Sequence, residues 1–175
     1  QEVVLCRHYD MQFGVVHGLG NQISFGRSSL TRRFVNHYLM ADGTPFQSQE
    51  GWQTMQYNQE FNGRDPRMAQ TIAAPDYVAV GADASSKYYP SCKDYERSGY
   101  RPIKYFSDDT HDGATTSTTD YAIFRYGEVL LNYVEAKAEL GQIDETIWNE
   151  TVGELRKRAG VKNIYPASAG YVEDA

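Results

Sequence analysis

Apolar side chains recur at helical spacing in two successive runs between residues 120 and 161. Ile123, Gly127, Leu130, Val134 and Ala138 fall on one face of a helix predicted over 121–140, while Arg125, Glu128, Asn132, Glu135 and Glu139 line another. Trp148, Val152, Leu155 and Ala159 form the apolar stripe of a second helix predicted over 145–159. The break between them carries its own signals. Gly141 suits the left-handed position that closes a helix, and Asp144 is placed to accept from the free N–H groups that open the next. Gly160 stops the second run. The pattern predicts a helical hairpin, with Leu130, Val134, Val152 and Leu155 buried between the helices or against neighbours.

Upstream the pattern is less regular. Residues 2–9 (EVVLCRHY) favour extended structure and predict a strand inserted into the body of the domain. Residues 10–26 contain Gly14, Gly18, Gly20 and Gly26 without a helical period, which predicts a long exposed loop. A helix is predicted over 28–40, capped by Ser29, with Leu30, Phe34, Val35, Tyr38 and Leu39 on its buried face and Arg32 and Arg33 on the solvated one. Asp42-Gly43 predicts a tight turn. Residues 47–61 are polar and aromatic without period, and Asp65-Pro66-Arg67 then has the chemistry of a helix start: Asp caps, Pro fits the first helical position, and Arg67 pairs with nearby carboxylates. A short strand is predicted over 77–81. Residues 107–120, rich in Asp, Thr, Ser and Gly, read as a loop, and 162–175 as a connector. The fold class predicted is mostly α with α+β character. It divides into a loop-rich region (1–119), the hairpin (120–161) and the connector (162–175).

The 175 residues, 41% hydrophobic, suffice for one domain with a substantial core. A net charge of −6 argues against nucleic acid or an anionic membrane as partner. Cys6 and Cys92 stand far apart with no metal-site spacing, and a bridge between them is left open. In the acidic loop, Asp108, Thr110, Asp112 and Gly113 begin a calcium-loop pattern, but Thr119 stands where the closing bidentate acid belongs, so an EF-hand is excluded. His8 beside Asp10, and His111 between Asp109 and Asp112, offer acid–base neighbours. No nucleophile elbow, HExxH or phosphate loop accompanies them, and the reading is non-catalytic, with no cofactor and no metal. Fourteen tyrosines are the more informative excess, since aromatic faces serve ligand surfaces as well as cores. The candidate ligand-binding residues are Tyr9, Phe13, His17, Asn21 and Gln22 in the glycine-rich segment, with Trp52, Tyr88 and Tyr89 in irregular segments where loops converge.

The hairpin also carries a resemblance. Arg125, Glu128, Leu131, Glu135 and Ala136, then Gly141, then Arg156, Arg158, Ala159 and Gly160 resemble the pattern of the SusD/RagB family of outer-membrane nutrient-binding lipoproteins. Asp65-Pro66-Arg67 followed by Thr71-Ile72, the segment FVNHYLMADGTPF, and Gly99-Tyr100 through Lys104 resemble further landmarks of that family. One departure is visible: Gly153 stands where family members often have Asn, which weakens a hydrogen-bonding role there. The resemblance implies a SusD-like fold with the hairpin as a tetratricopeptide-like unit, and a chain that is a piece of a longer protein. It implies a lipid-anchored protein of the outer-membrane surface that captures oligosaccharide for a SusC-like TonB-dependent transporter, with the loop at 10–26, before the helix predicted over 28–40, facing the ligand. Rings stacking on sugar C–H faces and amides meeting hydroxyls would do the binding. A peptide ligand is the alternative within the family. An intracellular helical-repeat interaction module is the alternative outside it, and the absence of a fixed repeat period counts against that.

Overall fold

The computed structural model describes residues 2–25, 28–78, 98–105 and 115–168, over which the chain is mainly helical with one two-stranded sheet. Strand β1 (Val3–Arg7) pairs antiparallel with β2 (Tyr121–Arg125), from Val3 opposite Arg125 to Arg7 opposite Tyr121, with irregularities around Leu5. The strand predicted at the start therefore exists, but it does not enter the core: Val4 and Leu5 are exposed. Residues 121–125, predicted as the first turn of a helix, are extended instead, and Ile123 is exposed, not buried. A β-favouring run, YAIFR, meets a partner strand that satisfies its backbone, and this outweighs the helical period that starts in earnest at Gly127. The Tyr126 N–H, at the helix start, donates to the Glu2 carbonyl at 2.7 Å.

The hairpin follows. Helix α4 (Tyr126–Glu139) ends at Gly141, whose φ of 63° is the left-handed closure expected of it. Helix α5 (Glu145–Trp148) opens with Asp144 accepting from the Ile147 N–H at 2.8 Å. It runs through a π turn (Asn149–Gly153) into α6 (Glu154–Ala159), closed by Gly160 at φ 76°. Gly127, early in α4, faces Leu155, far along the second helix, as an antiparallel hairpin requires: a Cβ there would lie 3.4 Å from Leu155 Cδ2. Val134 and Ala159 are buried, whereas Leu130, Val152 and Leu155 are half-buried and Ala138 is exposed. Tyr126, Val129, Tyr133 and Leu140 form a second apolar stripe that faces solvent. Replacing Asp144 by Ala is expected to cost about 1 kcal/mol by loss of the cap, read as a lowered thermal midpoint.

The π turn explains the departure at Gly153. A Cβ at that position would lie 2.9 Å from Asn163 Nδ2, so the side chain of Asn163 fills the space glycine leaves. There its Oδ1 accepts from Trp148 Nε1 at 2.8 Å and its Nδ2 donates to Asn149 Oδ1 at 2.7 Å. Asn163 thus brings an amide to the helix surface at the position where residue 153 contributes no side chain. Thr151 bends the same stretch by donating its hydroxyl to the Ile147 carbonyl at 2.5 Å.

The main core lies in the earlier region, where Val35, Met68, Ile72 and Tyr100 are buried together and Leu30, Tyr38, Tyr57 and Phe61 pack on them. Val35 comes from helix α2 (Arg32–Asn36), far shorter than the 28–40 predicted, and its cap is Thr31, not Ser29. Leu30 is drawn out of the helix by bonds on both sides, its N–H donating to the Tyr100 carbonyl at 3.0 Å and its carbonyl accepting from Ser98 Oγ. Beyond Tyr38 the chain turns extended and Met40 bridges to Arg64. Phe34, predicted buried, is exposed. Met68 and Ile72 are delivered by helix α3 (Pro66–Thr71) and its C-cap, and here Asp65-Pro66-Arg67 behaves as predicted: Asp65 accepts from the Arg67 N–H at 2.9 Å and from its guanidinium.

The glycine-rich segment is more ordered than predicted. A short 3-10 turn (Met11–Phe13) is capped by Asp10 and closed by Gly14 at φ 65°, and helix α1 spans Leu19–Phe25. Its length is too short for a period to declare itself. Asp42-Gly43 makes the expected turn, and a Cβ on Gly43 would meet the Lys162 carbonyl at 2.5 Å. Residues 99–105, matched to a strand of the family, contribute a single bridge from Pro102 to Ile72. Residues 77–78 are not strand, and the remainder of that predicted strand, the calcium-like loop from Asp108 to Gly113, Cys92, Tyr88 and Tyr89 lie outside the described residues.

Candidate ligand-binding site

Two backbone bonds pinch residues 39–65 into a closed loop, and a third makes the turn at its start. The Met40 N–H donates to the Thr44 carbonyl, Ala41 N–H to Gly63, and Asp65 N–H to Leu39, all within 2.7–2.8 Å. Inside the loop, short turns at Phe46–Ser48 and Trp52–Thr54 fold around a concave pocket of about 440 Å³. Met40, Met55 and Phe46 supply its apolar surface, and Gln49, Glu50, Thr54, Gln59 and Asn62 its polar groups, with the Gly51 backbone between them. Gln59 Oε1 accepts from the Gln56 N–H at 2.9 Å, which holds the amide in place and leaves its NH2 to donate elsewhere. A small number of fixed polar groups around apolar area is the make-up of a ligand pocket.

A buried charged network fixes the wall behind the pocket. Glu60 is almost fully buried and accepts from the Tyr100 hydroxyl at 2.7 Å and from Arg32 Nη2 at 3.4 Å. The same Arg32 guanidinium donates to the Trp52 carbonyl at 2.9 Å and the Gln53 carbonyl at 3.0 Å, and lies 5.7 Å from the Trp52 ring centroid. Arg32, expected on the solvated face, is therefore the clamp of the Trp52 turn. Arg64 lies 3.7 Å over the Phe46 ring and donates to the Val35 carbonyl at 2.7 Å and the Glu60 carbonyl at 3.3 Å. Burial pushes the Arg64 guanidinium down to about 10, against the pull of Glu60, and burial together with the Glu60 hydrogen bond pushes the Tyr100 hydroxyl up.

The candidates from the glycine-rich segment form a second neighbourhood. Tyr9 meets His17 edge to face at 4.5 Å, and the Arg7 guanidinium lies 5.8 Å from the Tyr9 ring. Both nitrogens of His17 are engaged: Nδ1 accepts from the Leu19 N–H at 3.1 Å and Nε2 lies 2.8 Å from the Thr119 carbonyl. That pair of bonds fixes the tautomer with the proton on Nε2 and gives His17 a structural post between residues 19 and 119. Phe13 stands in solvent, 79% exposed, while Asn21 is half-buried and Gln22 exposed. Beside them His8 and Asp120 pair at 2.9 Å; their mutual hydrogen bond raises the His8 pKa and lowers that of Asp120.

Of the residues singled out by sequence, the structure brings Tyr9 and His17 together and sets Trp52 half-buried beside the pocket, in edge contact with Phe46 at 6.1 Å. The polar lining from Gln49 to Asn62 was not singled out. Its signal was the aperiodic polar and aromatic stretch at 47–61, which becomes a pocket only once Leu39 and Asp65 close the loop. Among the described residues no group of His, Cys, Asp and Glu is disposed to hold a metal, and no helix is long and apolar enough to cross a membrane.

Comparison with known proteins gives two matches. The model of the SusD family matches residues 8–173. The crystal structure of a SusD-like carbohydrate binding protein from Bacteroides fragilis NCTC 9343 superposes over 95% of this chain with a TM-score of 0.69 at 23% identity, a likeness of fold. This chain spans 36% of that one. No curated protein matches the sequence.

Proposed function

Because the chain belongs to the SusD family, we propose that it binds oligosaccharide at the outer-membrane surface and hands it to a SusC-like TonB-dependent transporter, without chemistry of its own. In this reading a lipid anchor holds the protein at the membrane. The observation that carries the reading is the pocket closed by residues 39–65. Side-chain amides of Gln49, Gln59 and Asn62 and the Thr54 hydroxyl suit sugar hydroxyls, which both donate and accept, and Met40 and Met55, backed by the buried Phe46, suit sugar C–H faces. The fold neighbour's description as a carbohydrate binding protein agrees with it. Tyr9, Phe13, Asn21, Gln22 and Trp52 are proposed as further contacts for a chain longer than the pocket, Phe13 through its exposed ring.

Glycan-array screening followed by calorimetry tests the reading. The double variant Gln59→Ala, Asn62→Ala removes two amides and is expected to weaken binding of the selected glycan at least tenfold, since each lost hydrogen bond contributes about 0.5–1.5 kcal/mol. Both side chains are exposed, so the circular dichroism spectrum and thermal midpoint are expected to stay near the parent's. A protein that binds peptides and no glycan overturns the proposal.

A further inference from the structure

We propose, resting on the oligosaccharide reading above, that the pocket selects neutral glycan units and rejects uronate- and sulfate-bearing ones, with Glu50 as the excluding residue. Among the described residues that line the pocket, Glu50 is the one with an ionisable side chain. Two cations, Arg32 and Arg64, pack against Trp52 and Phe46. Arg32 directs its terminal N–H groups to the Trp52 and Gln53 carbonyls and to Glu60, and Arg64 directs its terminal ones to the Val35 and Glu60 carbonyls from behind the Phe46 ring. An anionic group entering the pocket would shed water, meet amides and a hydroxyl where it needs a cation, and sit beside a carboxylate. A neutral hydroxyl meets groups that donate and accept in equal measure. It loses nothing to Glu50, which can itself accept from it.

The two guanidiniums behind the wall do not reverse this. The carboxylate of Glu60 lies against Arg32 and close to Arg64, and the terminal N–H groups of both guanidiniums are directed to Glu60 and to backbone carbonyls of the wall. Selection comes from what the pocket lacks as much as from what it holds.

The test is calorimetry on the intact protein with neutral hexasaccharides of glucose, xylose and mannose, and with hexagalacturonate. The expected result is binding of at least one neutral probe, and hexagalacturonate at least tenfold weaker than the best of them. In Glu50→Gln the ratio between neutral and anionic affinities is expected to narrow at least threefold. In Glu139→Gln, which removes the same charge from an exposed site on α4, the ratio is expected to hold. Hexagalacturonate binding as tightly as the best neutral probe overturns the selectivity and leaves the oligosaccharide reading standing. Equal narrowing in the two variants assigns the discrimination to overall charge and removes Glu50 from it. Binding of no saccharide overturns the oligosaccharide reading and this inference with it.

Discussion

Replacing Glu60 by Ala is expected to destabilise the protein by about 3 kcal/mol, the lower end of what breaking a buried ion pair costs. The carboxylate is 3% exposed and serves two donors at once, the Tyr100 hydroxyl and the Arg32 guanidinium. Its loss leaves the Tyr100 hydroxyl buried without an acceptor and removes the counter-charge that offsets the burial of Arg64. The lower end applies because the Arg32 side chain is 41% exposed and can turn to water. Glu60→Gln keeps an acceptor for Tyr100 and is expected to cost about half as much. Urea titration of the three proteins checks this. An unchanged midpoint in Glu60→Ala would show that the network does not hold the fold. Hydrogen exchange is expected to quicken locally at residues 52–54 in the same variant, because Arg32 loses one of the groups that fix its guanidinium over that turn.

Phe46→Ala is expected to cost about 3–5 kcal/mol, the range for truncating a buried aromatic ring. Phe46 is 1% exposed, meets Trp52 at its edge and carries the Arg64 guanidinium on its face. Truncation opens a void under a buried cation and removes part of the pocket wall in the same step, so stability and ligand affinity are expected to fall together. Phe46→Leu returns most of the volume without the π face. It is expected to recover more than half of the lost stability, with the remainder measuring what the ring contributes to holding Arg64. Thermal unfolding followed by near-ultraviolet circular dichroism reads both variants. A Phe46→Ala protein as stable as its parent would mean that the loop closes without this ring.

Where a residue's role is settled by its neighbours in the chain, the sequence determined it. Asp144, Gly141 and Gly160 bound the hairpin as expected, and Asp65-Pro66-Arg67 opens α3, because caps and left-handed closures involve only the few residues around them. The face of α4 carrying Val134 was legible for the same reason, since helical spacing alone puts it beside Gly127 and Leu130. The tertiary structure decided the rest. Ile123 sits in a strand because β1 arrives from more than a hundred residues away to pair with the residues on either side of it. Residues 28–30 leave the helix predicted for them because Tyr100 and Ser98 bond Leu30. Arg32 became a clamp and not a solvated charge because Glu60 and the Trp52 turn were folded against it. The pocket belongs to this second kind. Its lining residues have no period and no spacing rule, and they share a cavity only because the backbone bonds of Ala41 to Gly63 and of Asp65 to Leu39 draw the two ends of their loop together.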